Sequence, residues 1–555
     1  EYYSVSWGYM RCCLLRTLVS YPGVPGDEGG NDLVPDIATD LPTVSDDELT
    51  WTFTLKEGIE YAPPFRGTEV VAQDFIRAIE RVACTECASG GYPFYYSIIE
   101  GFDEFSEGKA DTISGLNAPD DQTLEVTLSE PSGDLPFVMA MPAAAPIPEG
   151  AADGHEKDYG RFLVATGPYM FEGSEDLDFS LPPKEQEPVA GYTPGKSFSL
   201  VRNPSWDPDT DEIREAFVDR IDTVIGGTEQ DLANKVDQGL IDINGDFVPP
   251  AQVLREYQTD PQKRARLSSN PADTLYYISF NLAEPPFDDE AVRRALNFAT
   301  NKEGMIRIKG GPLFGEPAGH IIPDSLLDDT LADFDPFASE ASQGDVDAAK
   351  EEMKKSKYDT DQDGVCDAPE CKGILAVTDE SDPYPDYVPL LQDAWGELGI
   401  EMDVKQLERT TMYDKCLDPG AHTAICLGPG WGKDFPDATT FAGPLFGSEG
   451  LGPDACCNYS LLGASPEHLK KFDYEITEVP SVDEDIEACE PLAGDERIEC
   501  WSNLDQKLTD ELAVWIPYLF AKDVFITSER VRGFTYDQFS GQPAYDHMGV
   551  VEEGA

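Results

Sequence analysis

From Leu49 to Leu55 every second residue is large and apolar, which places Trp51, Phe53 and Leu55 on one face of a strand. Lys56-Glu-Gly58 turns the chain, and Ile59-Glu-Tyr61 reads as the hairpin partner. The period then lengthens. Val70, Val71, Phe75, Ala78, Ile79 and Val82 recur at helical spacing behind Thr68 as the predicted N-cap. The same spacing puts Val292, Ala295, Leu296 and Ala299 on one stripe of a helix capped at Asp288-Asp289, behind the extended Pro285-Pro286-Phe287. Residues 8–20 read as a buried helix ending in the turn Tyr21-Pro-Gly23, and Ile374–Thr378 as a strand. Gly167-Pro-Tyr169 and Asn203-Pro204 are turn signals between Phe162–Ala165 and Phe198–Val201, and the acidic, proline-rich residues 172–197 read as a surface insertion.

Several of these stretches carry a likeness as well as a period. Trp51-Thr-Phe-Thr-Leu-Lys-Glu-Gly58, Thr68–Phe75, Ile99–Gly108 and Asp120–Leu128 resemble, in order, the oligopeptide/dipeptide-type (family 5) solute-binding proteins of ABC importers. So do Thr166-Gly-Pro-Tyr169, Arg202-Asn-Pro-Ser-Trp206, Tyr277–Leu282 and Val292–Ala299. The resemblance implies an α/β, two-lobed periplasmic-binding-protein-like fold of the large type II (cluster C) class, with the ligand enclosed between hinged lobes. Residues 1–271 would form the first lobe, with 36–160 as an extra subdomain. Residues 272–505 would form the second, and 506–555 would return to the first. It implies a binding protein rather than an enzyme, with peptides or other small solutes and ABC permease subunits as partners, an extracytoplasmic location and a monomeric state. The chain opens on Glu1-Tyr-Tyr3 without a signal-peptide progression, so a leader or lipid anchor is expected to have preceded it.

Charge narrows the partners. Among 555 residues, 107 are acidic and 40 basic, a formal net charge of −67. Such a surface repels nucleic acid and anionic lipid and suits a salt-rich or calcium-rich setting. No run of apolar residues is long enough to span a membrane. The twelve cysteines favour disulfides and an oxidising compartment over zinc or thiol redox chemistry. Cys84/Cys87, Cys366/Cys371, Cys416/Cys426 and Cys489/Cys500 are close in sequence, whereas Cys12/Cys13 and Cys456/Cys457 are adjacent and each is expected to need a distant partner.

Two motifs carry candidate chemistry. Asp359-Thr-Asp-Gln-Asp-Gly-Val-Cys-Asp-Ala-Pro-Glu370 fits the calcium-loop pattern, with oxygens from Asp359, Asp361, Asp363, the Val365 carbonyl, Asp367 and Glu370 as ligands of a structural Ca²⁺. A strand-like segment follows instead of a second helix, so this would be a lone loop, tied by Cys366–Cys371. The other is Gly428-Pro-Gly-Trp-Gly-Lys-Asp-Phe-Pro-Asp437, where three glycines and two prolines predict an irregular loop presenting Trp431 and two acids. By resemblance, Trp431-Gly-Lys-Asp434 matches a W-x-x-D pattern whose aspartate pairs with a peptide's α-ammonium, with Gly430 beside it. Asp437 reads as a turn or cap residue. Tyr3, Val5 and Trp7 alternate as one face of a strand that would run along the ligand. The five histidines are scattered, and no nucleophile elbow, zincin helix, phosphate loop or dinucleotide fingerprint occurs. A ligand-presenting surface receptor, a calcium-dependent cell-surface protein and a secreted hydrolase stand as alternatives.

Overall fold

The computed structural model describes residues 4–84, 93–155, 157–451 and 457–551. It divides into two compact units, Glu1–Asn270 with Val524–Ala555, and Pro271–Asp523. The return to the first unit therefore comes at Val524, not near 506. The reason is packing: Leu504, Leu508, Val514, Trp515, Ile516 and Tyr518 all belong to the apolar core of the second unit. Two long strands, Leu267–Phe280 and Trp515–Ile526, run through the two boundaries.

In the first unit the alternating Thr50–Thr54 strand lies between Thr43–Val44 and Thr123–Thr127, with Leu116–Asp120 outside the latter. Phe53 faces Leu124 and Trp51 faces Val126 across the antiparallel ladder. Ile59–Tyr61 is not the hairpin partner; only an isolated bridge, Glu60 to Glu69, forms there. Nor does Thr68 cap the helix, which spans Ala72–Ala83. Its first turn is closed by Asp74, whose carboxylate accepts from the Val71 N–H (3.1 Å) and the Tyr61 hydroxyl (2.9 Å).

The chain start departs most from the periodicity. Ser4–Tyr9 is α-helical, Met10–Leu14 is a π turn, and Leu15 is already extended. The helix stops because the next donors have other acceptors: Arg16 N–H reaches the Thr166 hydroxyl (2.8 Å) and Thr17 N–H the Asp36 carboxylate (3.3 Å). Cys12 and Cys13 bond to each other, with Cα atoms 3.7 Å apart, so neither has the distant partner that adjacency suggested. Cys366–Cys371, Cys416–Cys426 and Cys489–Cys500 pair as expected. Cys84 and Cys457 are also disulfide-bonded, while Cys87 and Cys456 lie outside the described residues.

A buried charge network organises this unit. Arg214 is fully enclosed and grips Asp36 (2.9 Å) and Asp211 (3.2 Å), while Arg16 binds Asp36 (2.7 Å). Burial alone would raise the Asp211 carboxyl, but Arg214 and Arg16 hold it well below the usual range. Replacing Arg214 by Met leaves Arg16 as the one cation in contact with two buried carboxylates, Asp36 and Asp211, and is expected to cost about 3–5 kcal/mol. Guanidinium denaturation of the variant checks this, and a loss under about 1 kcal/mol counts against the network's role.

The second unit is built on one mixed six-stranded sheet, ordered Gly315–Glu316, Trp515–Ile526, Leu267–Phe280, Ile425–Gly432, Lys372–Asp379, Glu401–Leu407. Lys372–Asp379, the helix Tyr384–Gly396, Glu401–Leu407, the helix Arg409–Leu417 and Ile425–Gly432 follow one another in the chain. The first of those three parallel strands is central, and the chain goes to its outer side before coming back to its inner side. That reversal makes a topological switch point between Lys372–Asp379 and Ile425–Gly432.

Candidate ligand-binding site

In open α/β sheets the crevice beyond the carboxyl ends of strands at a switch point is where ligands bind. Here those ends are Asp379 and the segment 428–434. The two strands do not stop together. Lys372–Asp379 stays in register with Ile425–Gly432 only as far as Thr378 opposite Leu427. Ile425–Gly432 continues, paired on its other side with Leu267–Phe280 through Gly430/Tyr276, Trp431/Leu275 and Gly432/Thr274. Among the described residues, 428–432 thus have a strand neighbour on one side alone. The segment is a strand, not the irregular loop that its glycines and prolines suggested, and a register shift opposite Tyr276–Ile278 accommodates them.

The glycines are there because rings press on this strand. A Cβ on Gly428 would come within 2.4 Å of the Tyr384 ring, and one on Gly430 within 3.1 Å of Tyr276. Gly428 also sits at φ +107°, where a side chain would be strained. Tyr276, Tyr384, Tyr387 and Tyr518 form one aromatic cluster, with neighbouring ring centroids 5.8–6.3 Å apart. Lys309 Nζ stands 3.7 Å from the Tyr276 centroid. At the end of the neighbouring strand, Asp379 accepts from the Ser381 N–H (2.8 Å) and from Arg409 (2.5 Å). Burial opposes ionisation of Asp379, and these donors hold its carboxyl below the usual range.

Trp431 is half-buried, and its indole N–H donates to the Thr440 carbonyl at 2.8 Å, which fixes the ring. Lys433 turns inward to an ion pair with Asp273, both side chains nearly inaccessible. Asp434 follows, 7% exposed. Asp437, expected as a turn or cap residue, makes the turn: it accepts from the N–H and hydroxyl of Thr439, both at 2.8 Å, while Ala438 is the N-cap of the helix Thr439–Phe446. Arg497 then clamps it through two bonds of 2.8 and 2.9 Å. Asp273, Lys433, Arg497, Asp379, Tyr276 and Tyr384 were missed by sequence reasoning. Lys433 alone had a signal, its place inside W-x-x-D. The rest converge through sheet order.

The candidates at the chain start fare differently. Tyr3 lies outside the described residues, and Val5 falls in the helix Ser4–Tyr9, not on a strand. Trp7 shares that helix and is buried, 2% exposed, stacked on Phe539 at 5.9 Å. A helix does not present alternate residues on one face, so the strand reading of Val5 and Trp7 is corrected.

In the calcium-like loop, carboxylate oxygens of Asp359, Asp361 and Asp363 lie within 4.8 Å of one another. Gly364 takes φ +94° and donates to Asp359 at 2.8 Å. Val365 donates its N–H to Asp363 (2.9 Å). Asp367 turns away from the three, binding the Thr360 hydroxyl (2.6 Å), which with the Thr360 N–H lowers its pKa. Glu370 sits exposed on the short turn Pro369–Cys371, outside the group. Three of the six proposed ligands therefore converge in this conformation.

Beside Asp273 and Thr274 a cavity of about 180 Å³ is walled by Glu316, Asp324, Asp329, Phe520 and Lys522. Asp324 shares His320 with Asp505, at 3.1 and 2.9 Å. Burial disfavours the imidazolium, but the two carboxylates outweigh it and push His320 up to about 9. A folded pKa above the ordinary 6.5 stabilises fully below that value and loses its contribution as pH rises through about 9. Between pH 6.5 and 9.5 the wild type is therefore expected to lose about 2–3 kcal/mol more stability than His320→Gln. Denaturant titrations of both at several pH values check it, and parallel curves would refute it.

A profile described as bacterial extracellular solute-binding proteins, family 5 middle, matches residues 32–453. The chain belongs to this family. It is 26% identical over 284 residues to the glutathione-binding protein GsiB of Salmonella typhi, covering 51% of this chain and 47% of that one. It is 24% identical over 447 residues to the probable D,D-dipeptide-binding periplasmic protein DdpA of Escherichia coli K12, covering 79% and 72%. The match to GsiB thus spans about half of that relative. Among solved structures, the clavulanic acid biosynthesis oligopeptide binding protein 2 superposes with a TM-score of 0.82 at 24% identity, covering 100% and 92%. Haemophilus influenzae OppA, in complex with the peptide RPPGFSPFR, gives 0.68 at 16%, covering 99% and 94%. These likenesses establish the two-lobed solute-binding fold. No described helix is long and apolar enough to cross a membrane.

Proposed function

We propose that this family 5 protein captures extended peptides, or similar amine-bearing solutes, outside the cytoplasm and delivers them to an ABC permease without chemically altering them. The observation that carries the reading is the one-sided strand 428–432 at the switch point. An extended peptide is the ligand that can add itself to such an edge, by main-chain hydrogen bonds that do not depend on its sequence. Asp434, buried just beyond that edge, is assigned the ligand's α-ammonium, and the fixed Trp431 ring supplies an apolar wall. Gly430 gives the close backbone approach. The names of the relatives, glutathione-binding and dipeptide-binding, agree with a short peptide.

A charge-assisted bond of this kind is worth about 1.5–3 kcal/mol. Asp434→Asn is therefore expected to weaken a peptide that co-purifies with the protein by roughly ten- to two-hundredfold. N-acetylating the peptide should weaken binding to the wild type similarly and to the variant hardly at all. Calorimetry of the four combinations checks the pairing, and unchanged affinity for Asp434→Asn defeats it.

The second proposal is a structural Ca²⁺ at Asp359, Asp361 and Asp363. Binding would draw in the Val365 carbonyl, Asp367 and Glu370 to approach the six or more oxygens that calcium takes. The expected result is calorimetric binding in the millimolar range or tighter, lost in Asp361→Asn with Asp363→Asn. No heat at millimolar calcium discards it.

A further inference from the structure

Beside Gly245 the first unit brings together polar groups that have no cation. A Cβ on Gly245 would have two heavy-atom neighbours within 4 Å besides the adjoining residues, the hydroxyls of Tyr545 (3.7 Å) and Tyr9 (3.9 Å). Both hydroxyls therefore border one open point next to the Gly245 α-carbon. Neither packing nor backbone demands glycine here, since a methyl would make ordinary contacts and φ is not positive. What the bare position supplies is room. The two rings stack nearly parallel with centroids 4.5 Å apart, and Thr223 donates to the Tyr9 hydroxyl at 3.3 Å. Tyr545 is 6% exposed. Its hydroxyl is buried and completes no hydrogen bond with a described residue, although that of Tyr9 lies near enough to perturb it.

Asp246 follows directly. Among the described residues it has neither an ion-pair partner nor a hydrogen-bond donor. Burial raises its carboxyl with no cation to oppose it, and burial followed by the Asp246 charge raises the phenols of Tyr9 and Tyr545. The loop is held in place: Asn244 donates to the carbonyls of Phe247 (2.9 Å) and Val524 (3.1 Å) and accepts from the Ile526 N–H (2.6 Å). A recess with this lining selects by charge. An anion would meet Asp246, and a neutral group would leave its charge uncompensated. An ammonium or guanidinium brings both the positive charge and several N–H donors for one carboxylate and two phenol oxygens. We propose that Asp246, Tyr9 and Tyr545 form a subsite in the first unit for a cationic side chain of the captured peptide, of the lysine or arginine kind. The inference rests on the reading above that the solute is a peptide.

A chain of net charge −67 attracts any cation at long range, so ionic strength is held constant in the test. Calorimetry at pH 7 compares alanine peptides of three and of five residues that carry lysine, arginine or neutral norleucine at each position in turn. At one position or more, a cationic peptide is expected to bind roughly tenfold or more tighter than its norleucine counterpart. Asp246→Asn should bring that ratio to within about twofold of unity, while Glu467→Gln, an exposed acid of the second unit, should keep it. Gly245→Ala, whose methyl occupies the recess without a clash, should also lower the ratio. A ratio below about threefold at every position, or one that survives Asp246→Asn, overturns the inference and leaves the peptide reading standing. If no peptide of either length binds at millimolar concentration, the peptide reading falls and the inference with it.

Discussion

Where the scarce cations go is the constraint on which the rest of this structure depends. With 40 basic residues against 107 acidic ones, any carboxylate that folding buries competes for a partner. The interior takes Arg11, Arg16, Arg214, Arg497 and Lys433 for ion pairs. It takes Arg293 and Lys302 for carbonyl groups, those of Leu512 and Phe287 and of Ala318. Arginine predominates because its planar fork meets two acceptors at once, as Arg497 does on Asp437 and Arg214 on Asp36 and Asp211. The exposed face is left acidic, and the acidity of the whole chain is largely a property of that face.

The same pairing logic shapes the candidate site. A strand end rich in glycine has little intrinsic preference for one geometry. Here it is held from three directions: pairing with Leu267–Phe280 on one edge, the Lys433–Asp273 ion pair just past its end, and the Arg497–Asp437 clamp three residues beyond Asp434. The remaining edge is the one without a strand. Rigid support around a strand edge leaves the protein little ordering to do in forming any further main-chain bonds there.

Local features of the fold were legible in the sequence to the extent that they depend on neighbours along the chain. The strand around Phe53, the helix through Phe75 and Val82 (though not its start), the helix after Asp289 and the Cys366–Cys371 tie follow from period, cap and spacing. What failed was decided by distant partners. Met10–Leu14 leaves the α-helix because Thr166 and Asp36 take the following N–H groups, and no local pattern announces that. Gly428–Gly432 reads as a loop by composition yet forms a strand, because Tyr384 and Tyr276 need its bare backbone to pack against. Asp379 enters the site purely through strand order.

The W-x-x-D motif then acquires a physical reason for its spacing. Trp431 is the last bulky residue on the paired strand and anchors its indole to Thr440. A Cβ on Gly432 would come within 2.8 Å of the Thr274 hydroxyl, so a larger residue there requires Thr274 to shift. Lys433 turns to Asp273, which itself adopts φ +47°, so the pair ends the ladder. Asp434 is thereby the first residue past the strand free of ladder geometry, yet still buried by what surrounds it. A carboxylate one position earlier would displace the cation that neutralises Asp273. One or two positions later it would fall among Phe435 and Pro436, before the Asp437 turn and its clamp. The motif marks where the sheet lets go of the chain, and that is the place where a charge can be held rigidly without belonging to the ladder.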